Sequence, residues 1–373
     1  MMRRYQIREV FMKIEKICAI SVVAMAVCVV ATDWSHGQSK PERNNHTETT
    51  DSIAGGDSIP AEGEILLNKE GYKLSEVLFI PWGNGENEIT MSSEGEAKAG
   101  PTNFLVDNVG NIYINDPGKY HGRGTGRMIK YSPHKKTMRY LRGIEYIHGV
   151  LNNGEIVDGR GRVYNAEGGY LYKFRLPPTS SSIKKIIQRK DQLYVWTGEG
   201  HNALVISNEK DKGGYNLASF KEDKKAKYFE QTKGYPSRFF DRNYLVPGST
   251  DVVRIVHLDK QGKEERKTGV VIEKAKELSR YQAADNPQII GDDNQGNIYF
   301  MRGFSLASPY YPKKGFSAIQ KCNEKGEVLL VVRRFTNLPG LAFAPVLIEV
   351  DGNGNVYQLY SMKGGVRIVK WGK

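Results

Sequence analysis

The residues with the clearest chemical potential are aspartates in a short stretch that recurs along the chain. The stretch "DNVGNIYIND" (107–116) opens and closes on Asp and carries Asn and Gly between them, as a calcium-binding loop does. It returns in altered form as "DGRGRVY", "DNQGNIY" and "DGNGNVY", which begin at Asp158, Asp293 and Asp351. Either a metal loop or a tight turn could explain such a repeat.

The spacing favours the turn. A calcium loop of the EF-hand kind needs oxygen ligands at alternate positions, Gly at the sixth position and Glu at the twelfth. Counted from Asp351, those two positions hold Val356 and Met362, so the ligand set is incomplete. In a hairpin, by contrast, Asp caps the turn, Gly supplies a positive φ, and the following aliphatic residue and Tyr begin the next strand. We therefore interpret the repeat as a turn and predict no metal site.

Motifs that would indicate catalysis are missing from the sequence. The Gly-rich stretch "HGRGTGR" (121–127) has the spacing of neither a dinucleotide loop nor a phosphate-binding P-loop. There is no G-x-S-x-G elbow and no H-x3-H pair. The sequence therefore assigns no catalytic residue, and we expect no cofactor.

The Asp stretch marks a repeating unit of the chain. Its four copies are separated by 51, 135 and 58 residues. The long interval holds two degenerate copies, at 186–196 and 236–246, each with an apolar run, a polar turn and an aromatic-aliphatic run. The sequence thus predicts six units, each with four short strands, which is the pattern of β-propeller blades.

The two ends of the repeat pattern complement each other. After Tyr357 only 16 residues remain, which is enough for one more strand, so the last unit lacks its outer strand. An unassigned strand, "KLSEVLFIPWG" (73–83), precedes the first complete unit. We predict that it pairs with the strand at 366–371, because this pairing would cover an open sheet edge. The predicted fold class is all-β, a six-bladed β-propeller with four-stranded antiparallel blades whose ring is closed by an N-terminal strand.

The first complete unit resembles a known repeat. The stretch "GPTNFLVDNVGNIYINDPGKYHGRGTGRMIKYS" is similar to an NHL-type repeat of six-bladed β-propellers, and the resemblance covers residues 73–373. It is strongest in units one, five and six and suggests the extracytoplasmic, bacterial type of the family. The resemblance implies a fold rather than a reaction, because NHL-like members include binding proteins, lyases, lactonases and scaffold domains.

The N-terminal residues have the pattern of a targeting segment. Residues 1–31 carry basic side chains and then an apolar stretch, which is typical of a signal peptide or an N-terminal membrane anchor. Cleavage, retention and lipidation at Cys28 all stay open. Residues 32–63 are polar and predict a flexible tether, and 64–373 form the propeller. We expect an extracytoplasmic protein, periplasmic, secreted or at the cell surface, that can be held to a membrane by residues 1–31.

Two long loops are the candidates for binding. In a propeller, the loop between the second and third strands opens on the same face as the crossover to the next blade, and the longest such loops span 115–127 and 302–316. The crossovers at 142–149 and 277–287 should join them. The candidate ligand-binding residues are Tyr120, His121, Arg123, Arg302, Tyr310 and Tyr311. We expect the two Arg side chains to be exposed and the two loops to meet at a shared mouth.

The composition indicates the kind of partner. The formal net charge of +12 favours anionic ligands, and Arg with Tyr suits anions or sugars. We expect a non-catalytic, monomeric propeller that binds such a ligand, or a partner protein, on this face. A propeller enzyme of the lyase or metal-dependent lactonase type is the alternative and would need an axial cluster of His, Asp or Glu. RNA binding, as in some NHL domains, is a further alternative that an export signal disfavours.

Overall fold

The computed structural model describes residues 60–94, 97–116, 127–141, 143–144, 147–151, 153–174, 183–189, 192–197, 200–210, 216–221, 235–240, 242–246, 251–259, 263–272, 274–306, 315–337, 341–343 and 347–373. Asp57–Lys373 is one compact unit. The predicted targeting segment and nearly all of the predicted tether lie outside the described residues.

The described chain is built almost entirely of short strands. The first are β1 (Ile65–Asn68), β2 (Lys73–Pro81), β3 (Ser92–Glu94), β4 (Ala97–Ala99), β5 (Phe104–Val106), β6 (Ile112–Asp116), β7 (Arg127–Ser132) and β8 (Thr137–Leu141). There follow β9 (Ile147–Val150), β10 (Ile156–Asp158), β11 (Arg162–Tyr164), β12 (Tyr170–Phe174), β13 (Ile183–Arg189), β14 (Gln192–Thr197), β15 (Gly200–Lys210) and β16 (Asn216–Lys221). Next come β17 (Tyr235–Pro236), β18 (Arg242–Leu245), β19 (Val252–Leu258), β20 (Glu264–Val271), a 3₁₀ helix (Lys276–Leu278) and β21 (Tyr281–Ala283). The last are β22 (Gln288–Asp292), β23 (Ile298–Leu306), β24 (Gly315–Cys322), β25 (Val328–Arg333), β26 (Leu341–Phe343), β27 (Leu347–Val350), β28 (Val356–Met362) and β29 (Gly365–Gly372).

These strands form the blades of an all-β propeller. Three sheets are four-stranded, in the orders β5-β6-β7-β8, β17-β18-β19-β20 and β27-β28-β29-β2. A fourth sheet contains β22-β23-β24-β25, with β1 added outside β25 and β21 paired to the far end of β23. The fifth sheet has eight strands, β9 to β12 followed by β16 to β13, and β26, β4 and β3 form a small additional sheet. The four-stranded antiparallel blade predicted from the sequence is therefore present.

The prediction of six separate blades is wrong, because the second and third units are not separate. Each is a four-stranded antiparallel meander, as expected. However, Lys173 and Phe174 of β12 pair in parallel with Leu217 and Ala218 of β16. If the two units were separate blades, β12 and β16 would each be an open sheet edge. This pairing joins the two edges. The described residues accordingly form five blades.

The N-terminal strand lies next to the last strand of the chain. β2 pairs antiparallel with β29, from Lys73 opposite Gly372 to Pro81 opposite Gly365. This is the strand pairing that the sequence predicted, while the closure of the ring of blades by this strand stays a prediction. β1, which was not predicted, is the outer strand beside β25. The segment from β1 to β2 thus contacts two neighbouring blades.

A buried polar network holds this segment in place. The side chain of Lys321 is buried, with 1% of its surface exposed. Its ammonium group donates to Glu70 Oε2 at 2.6 Å and to the Tyr72 hydroxyl at 3.1 Å. It also lies 3.5 Å from Asp293 Oδ2. A buried ammonium group without such partners would lower the stability of the fold. The contacts of Glu70 and Tyr72 with Lys321 therefore stabilise the segment between β1 and β2.

The core lies between neighbouring sheets rather than inside one. The innermost strands contact one another in the order β13, β9, β5, β27 and β22. The Tyr235 hydroxyl of β17 donates to the Ile290 carbonyl of β22 at 3.0 Å, which links the blade β17–β20 to the blade β22–β25. Alternate residues of each strand face the adjacent sheet, so each interface is lined with buried aliphatic and aromatic side chains.

The repeated Asp stretches are hairpin turns, as predicted. Asp107 Oδ1 accepts the backbone N–H groups of Val109 at 3.0 Å and Asn111 at 2.8 Å, and Oδ2 accepts the Tyr113 hydroxyl at 3.0 Å. Gly110 has a φ of +83°, which explains why Gly stands there. Equivalent bonds surround Asp158, Asp293 and Asp351. The carboxylate oxygens are thus used to stabilise the turn and the strand after it.

Candidate functional site

A cleft lies between the blade β17–β20 and the blade β22–β25. Its volume is about 110 Å³, and its walls are Asp251, Ile272, Lys274, Leu278, Ala283, Arg302, Phe304 and Gln320. Ligand pockets for whole small molecules are several times larger, so this cleft suits one end group of a ligand.

The crossover from β20 to β22 forms one wall of the cleft. After β20, the 3₁₀ helix buries Leu278, and β21 then pairs with the end of β23, with Ala283 opposite Phe304. Asp285 fixes the end of this segment, because its Oδ1 accepts the Gly303 N–H at 2.6 Å. The predicted proximity of crossover 277–287 to residue 302 is therefore observed, but residues 302–306 continue strand β23 and do not begin a loop as predicted.

Three aromatic rings pack together where the crossover meets β23 and β24. The rings of Tyr281 and Phe316 meet edge to face with centroids 4.9 Å apart, and those of Phe304 and Phe316 stack at 5.6 Å. All three side chains are buried. Such close packing restricts the rotamers of these three side chains.

Arg302 contributes the main charge of the cleft. One terminal nitrogen of its guanidinium group is paired with Asp251 Oδ1, and Nε donates to the Asp285 carbonyl at 3.0 Å. Lys274 also lines the cleft, and its ammonium group donates to the Ser279 carbonyl at 3.2 Å. The cleft therefore combines two cations with one carboxylate of high exposure, since 60% of the Asp251 side-chain surface is accessible.

Arg302 is the predicted site residue that the structure describes. Its side chain is 12% exposed, so the expectation that it is exposed is wrong. The reason is its pairing with Asp251 and with the crossover backbone at Asp285. The other five predicted site residues lie outside the described residues, namely Tyr120, His121, Arg123, Tyr310 and Tyr311. Their approach to a shared mouth stays a prediction.

Gln320 and Asp251 were missed by the sequence analysis. A signal for Gln320 did exist, because alternate residues of "FSAIQKC" place it on the same strand face as the apolar Phe316, Ala318 and Cys322. A polar residue within an otherwise apolar alternation is a recognisable exception. Asp251 has no comparable signal, since it lies at the start of an ordinary strand.

The base of loop 115–127 is a second polar cluster. Arg127 Nε contacts Asp116 Oδ2 at 2.5 Å, one of its terminal nitrogens donates to the Glu88 carbonyl at 2.9 Å, and its guanidinium carbon lies 4.3 Å from the Tyr140 ring centroid. Asp116 also accepts the Thr90 N–H at 3.1 Å. These bonds fix both ends of the loop, because Asp116 precedes it and Arg127 follows it.

Within the described ranges, no three His, Cys, Asp or Glu side chains are grouped so that they could hold a metal ion. No helix in that part of the chain is long and apolar enough to cross a membrane. Cys322 is fully buried, and burial raises the pKa of its thiol to about 12. It is therefore a packed, unreactive thiol.

Comparisons with known proteins give distant structural likenesses. No protein-family model and no curated protein matches the chain, so the resemblance to NHL-type repeats stays a prediction. A protein from Lactobacillus plantarum is similar at 11% identity and a TM-score of 0.31, over 74% of this chain and 91% of its own. A GH43 β-1,3-galactosidase is similar at 10% identity and a TM-score of 0.26, over 80% of this chain and 59% of its own. An α-L-arabinanase from Cellvibrio cellulosa is similar at 10% identity and a TM-score of 0.26, over 73% of this chain and 90% of its own. The assignment of a β-propeller rests on the strand pairing rather than on these likenesses.

Proposed function

We propose that this protein is a non-catalytic, extracytoplasmic β-propeller that binds a ligand on the face bearing the loops 115–127 and 302–316. The observation that carries the proposal is the cleft beside Arg302, because it combines cations, an apolar wall and a fixed crossover at the base of one of these loops. The ligand class that suits such a cleft is an anion or a sugar. A partner protein presenting an acidic side chain would use the same contacts.

The sequence of the N-terminal residues supports the proposed location. The apolar stretch within 1–31 and the polar stretch 32–63 have the order of an export signal and a tether. We propose that residues 64–373 act as a monomer outside the cytoplasm. Fractionation of cells that express the full chain, compared with a chain lacking 1–31, checks the location, and light scattering checks the monomer.

The finer architecture is also part of the proposal. The two meanders β9–β12 and β13–β16 each have the strand number of a blade, so we infer that they are two NHL-like repeats of the sequence that share one sheet. An experimental structure in which either meander had a different number of strands would contradict this inference.

Binding is tested with a panel of ligands. Acidic sugars, neutral sugars and acidic peptides are added to the purified protein, and the thermal midpoint is measured for each. We expect at least one anionic or sugar probe to raise the midpoint, because a ligand that binds only the folded state stabilises it. Arg123→Ala and Arg302→Ala should reduce the effect, whereas Arg139→Ala, an exposed Arg of β8, should not. A panel without any binder, or equal effects of all three variants, would contradict the proposal.

A further inference from the structure

The cleft contains a buried hydrogen-bond acceptor that has no donor. Gln320 is 3% exposed, and its Oε1 has no hydrogen-bond partner among the described residues. An unsatisfied buried polar atom destabilises the folded state, so each one calls for an explanation. Gln320 lines the cleft. A donor that enters the cleft would therefore find an acceptor waiting for it.

Arg302 lies on the same face of the sheet as Gln320. In the pairing of β23 with β24, Arg302 is opposite Ala318, and Phe300 is opposite Gln320. Directly opposite residues share a face, so Arg302 and Gln320 are diagonal neighbours, whose separation is about 7–8 Å between Cα atoms. One ligand end group can reach both side chains.

The guanidinium group has donors left for a ligand. Its bonds to Asp251 and to the Asp285 carbonyl use two of the five N–H donors of an Arg. The bond to Asp251 is the weaker of the two, because 60% of the Asp251 side-chain surface is accessible and water can solvate the carboxylate. A carboxylate that enters the cleft can replace Asp251 on Arg302, and Lys274, which also lines the cleft, adds a second cation.

The remaining walls are apolar. Phe304 and Leu278 are buried, and Ile272 lies beside them. Such surfaces suit the C–H groups of a sugar ring, while a volume of about 110 Å³ limits the bound part to a single terminal unit.

We propose that this cleft binds the terminal unit of a sugar acid. The carboxylate replaces Asp251 on Arg302, and a neighbouring hydroxyl donates to Gln320 Oε1. A neutral sugar lacks the carboxylate that would bind Arg302, and a simple carboxylate such as acetate lacks the hydroxyl that would donate to Gln320. Each therefore makes one of the two contacts. This inference rests on the proposed binding function and gives it a ligand class.

The test uses D-galacturonate as the probe, with D-galactose and acetate as matched comparisons, and isothermal titration as the measurement. We expect galacturonate to bind at least about tenfold more tightly than either, because each lacks one charged or polar contact. Arg302→Ala should weaken galacturonate by about tenfold or more, and Arg139→Ala should leave it unchanged.

Two variants separate a ligand role from a structural role. Gln320→Leu removes the acceptor and should weaken galacturonate about fivefold, while the thermal midpoint of the free protein stays the same or rises, since an unsatisfied buried group is lost. Asp251→Asn removes the competing carboxylate and should strengthen galacturonate about threefold.

The outcomes that overturn the inference are specific. Equal binding of galactose or acetate, weaker binding in Asp251→Asn, or unchanged binding in Gln320→Leu would each contradict it. If galacturonate fails but another probe of the panel binds in an Arg302-dependent manner, the sugar-acid inference falls and the binding function stands. If no probe binds, both fall.

Discussion

Tyr113 and Lys130 lie directly opposite each other in β6 and β7, with the ammonium nitrogen 5.6 Å from the centroid of the Tyr ring. The Tyr hydroxyl donates to Asp107, which caps the preceding turn. One ring therefore connects the turn, the second strand and the third strand of a blade. Burial, followed by the charge of Asp107, raises the pKa of Tyr113 far above its ordinary value, so the hydroxyl remains a donor at any physiological pH.

The same relationship recurs in two other blades. Tyr299 is opposite Lys321 with a distance of 5.6 Å, and Tyr357 is opposite Lys370 with a distance of 5.9 Å. Each of these Tyr residues also donates to the Asp six residues before it. The repeated sequence pattern therefore corresponds to a repeated set of contacts.

We expect Tyr113→Phe to lower the free energy of unfolding by about 2 kcal/mol, because a buried hydrogen bond to a charged group is lost. Urea denaturation monitored by Trp fluorescence measures the change. Tyr131→Phe is the matched control, since Tyr131 is half-buried in β7 and should change stability by less than about 0.5 kcal/mol. Equal effects of the two substitutions would show that the bond to Asp107 contributes nothing.

Substitution by Ala should lower the free energy of unfolding by different amounts at two glycines of equivalent turns. Gly110 and Gly354 have φ values of +83° and +80°, so a side chain is strained at both positions. A Cβ on Gly110 would find its nearest atom 3.8 Å away, whereas a Cβ on Gly354 would lie 2.5 Å from the Tyr299 hydroxyl and 2.8 Å from Asp293. We expect Gly110→Ala to cost about 1 kcal/mol and Gly354→Ala at least about 3 kcal/mol, as measured by urea denaturation. Similar costs would mean that the Tyr299 contact relaxes freely.

The stability of the fold should depend on pH through Glu70. Partial burial raises the pKa of Glu70, but the hydrogen bonds and charges of Lys321 and Lys373 outweigh this effect, so the pKa lies below the ordinary value of 4.5. A carboxyl group whose folded-state pKa is lowered stabilises the fold above its unfolded pKa, and this contribution is lost as the pH falls through the folded value.

We therefore expect the wild-type protein to have a higher thermal midpoint than Glu70→Gln at pH 7. The difference should shrink as the pH falls below 4.5, where the wild-type carboxylate takes up a proton. Thermal melts at a series of pH values measure it. Glu86→Gln, at an exposed position, is the control and should follow the wild type throughout. A difference that does not change with pH would show that charge is not the reason.

Removal of the segment before β2 should weaken the whole unit. A chain that begins at Lys73 lacks β1, leaves the edge of β25 open and deprives Lys321 of Glu70 and Tyr72. We expect its thermal midpoint to fall by at least about 5 °C, because a buried charge loses its partners. A chain that begins at Pro60 keeps these contacts and should melt as the full chain does. Identical midpoints for both truncated chains would contradict the role given to the segment.

The parts of the fold that could be predicted are those with local causes. The turn at Asp107 depends on residues within six positions of it, so its sequence was sufficient to predict the hairpin. The pairing of β2 with β29 could also be predicted, because an unassigned strand and a missing strand were both visible in the repeat pattern.

What the sequence could not reveal depends on distant contacts. The parallel pairing of Lys173 with Leu217 joins two meanders, and no local preference of either residue marks it. The exposure of Arg302 was predicted wrongly for the same reason, since Asp251 and Asp285 come from other parts of the chain. Composition suggested a basic, aromatic loop, but the buried acceptor on Gln320 became visible only in the packed sheet.

The path of the segment from Pro60 to β2 gives the fold a direction of mechanical resistance. The chain is hydrogen bonded first to β25 through β1 and then, after Tyr72, to β29 through β2. A pulling force applied ahead of Pro60 would therefore act on one blade before the next, and the second would bear load only once β1 had detached. Extension would proceed in two steps, and the first would separate Glu70 from Lys321 while β2 still held its sheet.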